Sequence, residues 1–328
     1  MNNRRGAAAN PLDALRRDRG PGPCRAFFHS LKSSKRAYAV GLLNDPKLSF
    51  ATFFLLLPEM DGAVPEEELS ERNRTAVRLC GILLDAPNTG GGAVHPEYGE
   101  TVRDTLRWMF SAGAEADGMD ADLDRIVDLS ACILLQIYRD AEILPEVVRL
   151  LFLRNRKGAL LHDLAWAFFR AADPRALRVA AEYLLSPAAE DAELARLLLH
   201  LPKAGNTTRE KRAQYASYLR WLEENRPYLA RTGESFNASC KPNACSVNLG
   251  AKYLHRKISP AGPAKPQPLT ELEKNCLSCF AGASREEKEL LARYSSKLRE
   301  ADPVRWNDWI RRPLNKQILS ARSGEAER

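Results

Sequence analysis

Four of the chain's seven cysteines lie close together near the C-terminal end, at a spacing typical of metal ligands. Cys240 and Cys245 form a C-x4-C pair, and Cys276 and Cys279 form a C-x2-C pair thirty residues later. Two close pairs of thiolates can surround a Zn²⁺ ion tetrahedrally. The sequence therefore predicts a structural zinc site in which these four cysteines are the ligands.

Other uses of the same cysteines remain open. An iron–sulfur cluster also takes four cysteine thiolates, and unligated or redox-active thiols would hold no metal. His255 lies between the two pairs and could replace one thiolate, although a solvated histidine in a basic loop is the favoured interpretation. A zinc ion held by four thiolates has a closed coordination shell, so the predicted site would be structural and not catalytic.

Basic side chains surround the cysteines, as on surfaces that bind nucleic acid. Lysine and arginine contact phosphates, and aromatic side chains can stack on bases. The candidate nucleic-acid-binding residues are Lys241, Lys252, Arg256, Lys257, Lys265, Arg305, Arg311, Arg312 and Lys316. Trp306 and Trp309 lie among them, but their i, i+3 spacing favours a buried helical stripe over a stacking surface.

The net charge of +7 is distributed unevenly along the chain. The first 36 residues carry 9 basic and 2 acidic side chains, residues 37–202 carry 16 and 26, and residues 203–328 carry 24 and 14. Basic ends often contact nucleic acid, acidic lipid or acidic protein, and they can also pair with the chain's own acidic body. RNA or DNA is therefore the expected partner, with a protein partner as the alternative.

Sequence motifs of known enzyme classes give no convincing match. No G-x-S-x-G, H-E-x-x-H or G-x-G-x-x-G segment occurs, so the common hydrolase, zinc-protease and dinucleotide-binding signatures are missing. His95 and Glu97 match half of a zinc-deaminase motif, but a suitable C-x-x-C follows only much later in the chain, which indicates a chance match. The sequence favours a non-enzymatic protein, while carboxylate-based catalysis stays open.

Hydropathy argues against a membrane-spanning or secreted protein. The longest strongly apolar stretch, Phe50–Leu57, ends at Pro58 and is well short of the roughly 20 residues that a spanning helix needs. The basic N-terminus is not followed by the apolar core of a secretory signal. We therefore expect a cytoplasmic protein with reduced thiols and no membrane partner.

Helical spacing of apolar residues recurs along the chain, and strand patterns are nearly absent. The sequence predicts an all-α fold, either an irregular helical bundle or a short α-solenoid of paired helices. Helices are expected over Leu48–Leu57, from Pro65 to Asp85, and over Thr208–Arg226 and Ser284–Glu300. The turn at Ala172–Leu177 and the leucine stripes that follow it loosely resemble a HEAT-type helical hairpin, which implies the solenoid alternative.

Composition divides the chain into three predicted parts. Residues 1–21 form a basic flexible tail, residues 22–230 a helical body, and residues 231–328 a basic C-terminal module with the cysteine cluster and closing helices. Residues 231–268 are rich in Ser, Asn, Gly, Pro and Lys, which is typical of a loop. Because large apolar residues are scarce there, bound metal would supply the order that a core does not.

The resulting hypothesis is a non-enzymatic nucleic-acid-associated protein with a helical scaffold and a zinc-stabilised basic C-terminal module. The alternative is an adaptor or scaffold of helical-repeat type that binds a protein partner. A third possibility is an iron–sulfur-containing subunit of a nucleic-acid enzyme.

Overall fold

The computed structural model describes residues 9–85, 99–159, 161–171, 173–205, 207–234, 242–258 and 268–326. Within these ranges α-helices account for most of the chain and the strands form one small sheet, which confirms the all-α class. None of the described helices is both long and apolar enough to cross a membrane. Several residues singled out in the sequence lie outside the described residues: His95, Glu97, Cys240, Lys241 and Lys265.

The chain divides into two compact units, Met1–Ala171 and Ala172–Arg328. The change of composition near residue 230 falls inside the second unit. In the first unit the described helices are α1 (Pro11–Arg19), α2 (Pro21–Ser34), α3 (Arg36–Leu43), α4 (Phe50–Met60), α5 (Glu71–Asp85), α6 (Glu100–Ala114), α7 (Ala121–Gln136), α8 (Leu144–Lys157) and α9 (His162–Arg170). Helix α7 packs against α6 and α9, and α1 packs against α2.

Helix α1 lies within the segment that composition suggested to be a flexible tail. The Asn10 side chain caps the helix by accepting a hydrogen bond from the Leu12 amide, and it donates to the Leu42 carbonyl. The buried carboxylate of Asp13 accepts hydrogen bonds from the hydroxyls of Ser49 and Thr52. These tertiary contacts hold residues 10–19 in place. The expectation of a flexible tail was based on charge, and a count of charges does not reveal helix capping or buried hydrogen bonds.

Two predicted helix ends in the first unit are wrong. Helix α4 runs through Pro58 to Met60; the proline lies in the last turn, where the burial of Leu56 and Met60 outweighs the lost backbone hydrogen bond. The helix predicted to start at Pro65 is instead a single 3₁₀ turn, and α5 begins at Glu71. The amide of Ser70 donates to the Asn44 side chain at 2.7 Å, which interrupts the helical ladder.

Helices α6 and α7 approach each other closely at Gly113. A Cβ atom at this position would lie 2.5 Å from Cγ2 of Val127, closer than two carbons can pack. The same helix, α6, carries Trp108, whose ring packs edge-on against Phe50 at 5.3 Å between centroids. Its indole N–H donates to the Leu48 carbonyl at 3.1 Å. A glycine on one face and an anchored indole on another therefore fix α6 in the core.

A buried ionic cluster joins α7, α8 and the turn that precedes α7. The Arg154 guanidinium, 4% exposed, donates through Nε to Asp117 at 2.7 Å and through Nη1 to Asp128 at 2.6 Å. Lys157 adds a longer contact of 3.3 Å to Asp117. Burial raises the pKa of Asp128 to about 7, although the charge and hydrogen bond of Arg154 act in the opposite direction. The cluster is thus a buried cation between two carboxylates.

In the second unit the described elements are α10 (Pro174–Glu182), α11 (Ala189–Leu198), α12 (Thr208–Asn225), β1 (Leu229–Arg231), β2 (Cys245–Val247), α13 (Leu249–Tyr253), α14 (Glu271–Ala281), α15 (Arg285–Ala301), α16 (Pro303–Ile310) and α17 (Leu314–Ala326). Strands β1 and β2 pair antiparallel, with Ala230 opposite Ser246. The sequence did not predict them because a three-residue strand carries too short an alternation to recognise.

The core of the second unit is built around Tyr253. Its ring stacks on Phe280 at 4.4 Å between centroids and contacts Trp309 edge-on, and its hydroxyl donates to the Gln317 side chain at 2.8 Å. Trp309 is buried, which confirms its assignment to the core, while Trp306 is half-buried and donates to Ser295 at 2.7 Å. This core holds α13, α14, α15 and α16 together.

Candidate functional site

A pocket of about 1110 Å³ lies within the second unit. We call it the α12–α15 pocket, because these two helices supply most of its charged and aromatic side chains. The loop after α11, strand β2 and helix α13 complete its wall. Its lining residues are Leu199, His200, Leu201, Pro202, Gln214, Ser217, Tyr218, Trp221, Glu224, Asn225, Asn243, Cys245, Ser246, Val247, Leu249, Lys252, Arg285, Lys288, Glu289 and Arg293.

The two helices that name the pocket begin with the same local device. Thr207 and Glu210 form a capping box at the start of α12, and Ser284 and Glu287 form one at the start of α15. In each box the hydroxyl accepts from the third helical amide while the glutamate accepts from the cap residue's own amide. Both helices therefore start at defined residues. The start residue of each helix determines which of the side chains further along α12 and α15 face the pocket.

An aromatic pair on α12 forms one wall of the pocket. Tyr218 and Trp221 are three residues apart, so they share a helix face, and their rings stack at 5.5 Å between centroids with an interplanar angle of 26°. Tyr218 is 6% exposed, whereas Trp221 is 39% exposed. Trp221 thus presents an indole surface at the pocket while Tyr218 holds it in place.

A row of cations on α15 faces the same pocket. Arg285, Lys288 and Arg293 fall within nine residues of one helix and all line the pocket. Glu289 lies among them, and its carboxylate accepts a hydrogen bond from Arg285 Nε at 3.2 Å; both side chains are mostly exposed. Exposed pairs of this kind contribute about 0–1 kcal/mol, so an anion can compete with Glu289 for Arg285.

Lys252, on the short helix α13, differs from the α15 cations because it is only 7% exposed. Its ammonium donates to Asn225 Oδ1 at 2.8 Å, and Asn225 Nδ2 donates in turn to the Trp221 carbonyl at 2.7 Å. Burial lowers the pKa of Lys252, an effect that the charge of Glu224 opposes and the charge of Arg293 reinforces. The buried ammonium is therefore tied to the turn of α12 that carries the exposed indole.

The loop after α11 is held against α12 by a glutamine. Gln214 accepts a hydrogen bond from Arg196 Nε at 3.0 Å and donates to the Pro202 carbonyl at 3.0 Å. His200 adopts a left-handed backbone conformation with φ of 54°, which turns the chain at this point. This side of the pocket is built from ordered backbone with few charges.

The predicted nucleic-acid residues that the structure describes lie in different places. Lys252 lines the α12–α15 pocket, whereas Arg256 lies outside the lining, 3.5 Å from Glu273. Five others are exposed and are not among the lining residues: Lys257, Arg305, Arg311, Arg312 and Lys316. The prediction omitted Trp221, Arg285 and Lys288. The sequence feature that could have identified them is the i, i+3 spacing of Tyr218 with Trp221 and of Arg285 with Lys288, which places each pair on one helix face.

Three of the four candidate zinc ligands are described. Cys245 lies in β2 and is buried, Cys276 in α14 is buried and donates to the Ile310 carbonyl at 3.5 Å, and Cys279 in α14 is exposed. Burial raises the pKa of Cys245 to about 11 and also raises that of Cys276. Among the described residues, no three His, Cys, Asp or Glu side chains are arranged to hold a metal ion. Since Cys240 lies outside them, the zinc or iron–sulfur site stays a prediction.

No protein-family model, curated protein or solved structure matches this chain.

Proposed function

We propose that the chain is a non-enzymatic binding protein for single-stranded nucleic acid, and that the α12–α15 pocket is its binding site. The observation that carries this proposal is the combination of an exposed, stacked indole with four cations in one pocket. Proteins that bind single strands combine these two features, because aromatic rings stack on bases and cations follow the phosphates.

The exposed face of Trp221 supports a single strand over a duplex. Bases in a duplex are stacked on one another and hide their faces, whereas an unpaired base can lie flat on an aromatic ring. Stacking of this kind is worth about 1–3 kcal/mol per base and accepts any base. The pocket therefore favours affinity without strong sequence preference.

The α15 cations support contact with more than one phosphate. Arg285 and Arg293 are eight residues apart, which corresponds to about 12 Å along a helix. Arg285, Lys288 and Arg293 can then meet successive phosphates of an extended strand. The two carboxylates of the lining, Glu224 and Glu289, reduce the local charge but leave the cations in excess.

The proposal is tested by fluorescence anisotropy with labelled single-stranded and duplex RNA and DNA over a salt series. Single strands should bind more tightly, and log K should fall with log[salt] at a slope of about −2 to −3, since each phosphate neutralised on a single strand contributes about −0.7. Binding that is absent at low salt, or that is unchanged by salt, would contradict the proposal.

Trp221→Ala tests the stacking contact directly. The variant should lose about 1–3 kcal/mol of binding free energy, a five- to 150-fold increase in Kd. Phe27→Ala is the matched control, because Phe27 is an aromatic residue with the same 39% exposure that lies in the first unit. Equal effects of the two substitutions would refute the role of Trp221. Binding of poly-glutamate that equals the binding of nucleic acid would instead favour an acidic protein partner.

A further inference from the structure

The cations of the α12–α15 pocket lie at two depths. The Arg285 side chain is 90% exposed on α15, whereas Lys252 is 7% exposed at the wall formed by α13. An exposed cation can meet any phosphate that passes over the surface. A withdrawn ammonium can be reached only by a group that enters the pocket.

The hydrogen bonding of Lys252 leaves room for an anion. An ammonium has three donors, and in the described part of the chain the hydrogen-bond partner of Lys252 is the neutral side-chain oxygen Oδ1 of Asn225. No ion pair within 4 Å joins Lys252 to a described carboxylate, although Glu224 and Glu300 act on it from farther away. A buried cation without a close counter-ion is costly, so an anion bound there would be favoured.

The position of Lys252 relates it to the aromatic wall. Asn225 is four residues after Trp221, so the two side chains are neighbours on α12, and Asn225 contacts both Lys252 and the Trp221 carbonyl. The ammonium therefore lies beside the turn that presents the indole. A base on Trp221 and a phosphate on Lys252 can belong to the same nucleotide.

A phosphomonoester suits this site better than the internal phosphates of a strand. An internal phosphodiester is attached to a sugar on each side, so the strand must both enter and leave wherever it binds. A terminal phosphomonoester can be inserted end-on, has three free oxygens and carries about −1.5 to −2 charges at pH 7. Lys252, with Arg293 in the same lining, supplies the positive charge that it needs.

We infer that the α12–α15 pocket binds the phosphorylated end of a single strand, with the terminal base on Trp221 and the terminal phosphate on the Lys252 ammonium. This inference rests on the proposed function, because it names the part of the strand that the same pocket recognises. It predicts a preference for a phosphorylated end that the exposed cations alone would not give.

The test compares short single strands of one sequence that carry a 5′-phosphate or a 3′-phosphate, each labelled at the end opposite its phosphate. Each is compared with a strand that carries the same label and a hydroxyl in place of the phosphate. One of the two phosphorylated strands should bind with a Kd at least about tenfold lower than that of its hydroxyl strand, as expected for hydrogen bonds to a charged group. Which of the two does so shows whether the 5′ or the 3′ end is recognised. A mononucleotide with that phosphate should compete with the strand, while the nucleoside without it should compete about tenfold less well.

Variants of the full chain assign the preference to Lys252. Lys252→Met should abolish the difference in Kd between phosphorylated and hydroxyl strands, and Lys252→Arg should keep part of that difference. Lys274→Met makes the same chemical change at an exposed lysine paired with Glu271 and should leave the difference unaltered. Circular dichroism melts establish that each variant is folded, and the comparison of strands on the unsubstituted chain needs no variant.

The possible failures are distinguishable. If single strands bind but their phosphorylated and hydroxyl ends bind equally, the end-recognition inference is wrong and the proposed function stands. A preference that persists in Lys252→Met also overturns the assignment to Lys252. If no single strand binds, the proposed function itself is wrong.

Discussion

The buried cluster of the first unit allows a strong prediction about stability. Replacing Arg154 by Met would remove the cation that contacts Asp117 at 2.7 Å and Asp128 at 2.6 Å, while keeping a long apolar stem. Removing one partner of a buried ion pair costs about 3–5 kcal/mol, because the remaining carboxylate must either stay charged without its counter-ion or take up a proton. Lys157 can still contact Asp117, so most of the loss should come from Asp128.

The pH dependence of the loss follows from Asp128. Its folded pKa is about 7, whereas an unfolded aspartate titrates near 3.9. Between these values the folded chain holds a proton that the unfolded chain releases, so this group lowers the free energy of unfolding by up to about 1.4 kcal/mol per pH unit as pH rises. Without Arg154 the folded pKa moves still higher. The variant should therefore lose more stability at pH 8 than at pH 6.

Urea unfolding of the full chain, followed by circular dichroism, measures this loss. For a unit of 171 residues, a loss of 3–5 kcal/mol corresponds to a decrease in Tm of roughly 6–20 °C. Arg149→Met is the control, because Arg149 lies on the same helix but forms an exposed pair with Glu146, and it should cost less than about 1 kcal/mol. A similar small loss for Arg154→Met, or the same loss at both pH values, would refute the reasoning.

Two further predictions concern the close helix packing and the cysteines. Gly113→Ala should lower the free energy of unfolding by about 1–3 kcal/mol because its Cβ would meet Val127 at 2.5 Å; a thermal melt checks this, and a Tm equal to that of the unsubstituted chain would contradict it. Elemental analysis of anaerobically purified protein should find about one zinc per chain if the four clustered cysteines are ligands. The absence of zinc and iron, with all seven thiols titratable, would exclude both predicted metal sites.

The sequence predicted the helices well where local signals determine them. The start of α12 at Thr208 and of α15 at Arg285 follow from capping boxes, and these signals act within a few residues. The errors at Pro58 and Pro65 have the opposite origin. There, burial of α4 and a hydrogen bond from Ser70 to Asn44, 26 residues away in sequence, outweigh the local preference.

The candidate site was harder to predict because four separate segments build it. The lining combines residues 199–202, 214–225, 243–252 and 285–293, and no spacing rule relates one of these segments to another. The sequence indicated a basic C-terminal end, and Lys252 was among its candidates. It could not distinguish Lys252 from Lys257, five residues later, although one is buried in the pocket wall and the other is exposed.

Burial changes what a lysine can recognise. The exposed residues Lys257, Arg305, Arg311 and Arg312 add to the positive field around the second unit, and such charges increase affinity for any polyanion by an amount that depends on salt. Lys252 is buried and its ammonium donates to Asn225, so under the proposed function it would gain most from an anion that fits beside Trp221. Under the same proposal, exposed basic residues would govern how often a strand meets the protein, and the buried lysine would govern which part of the strand is retained.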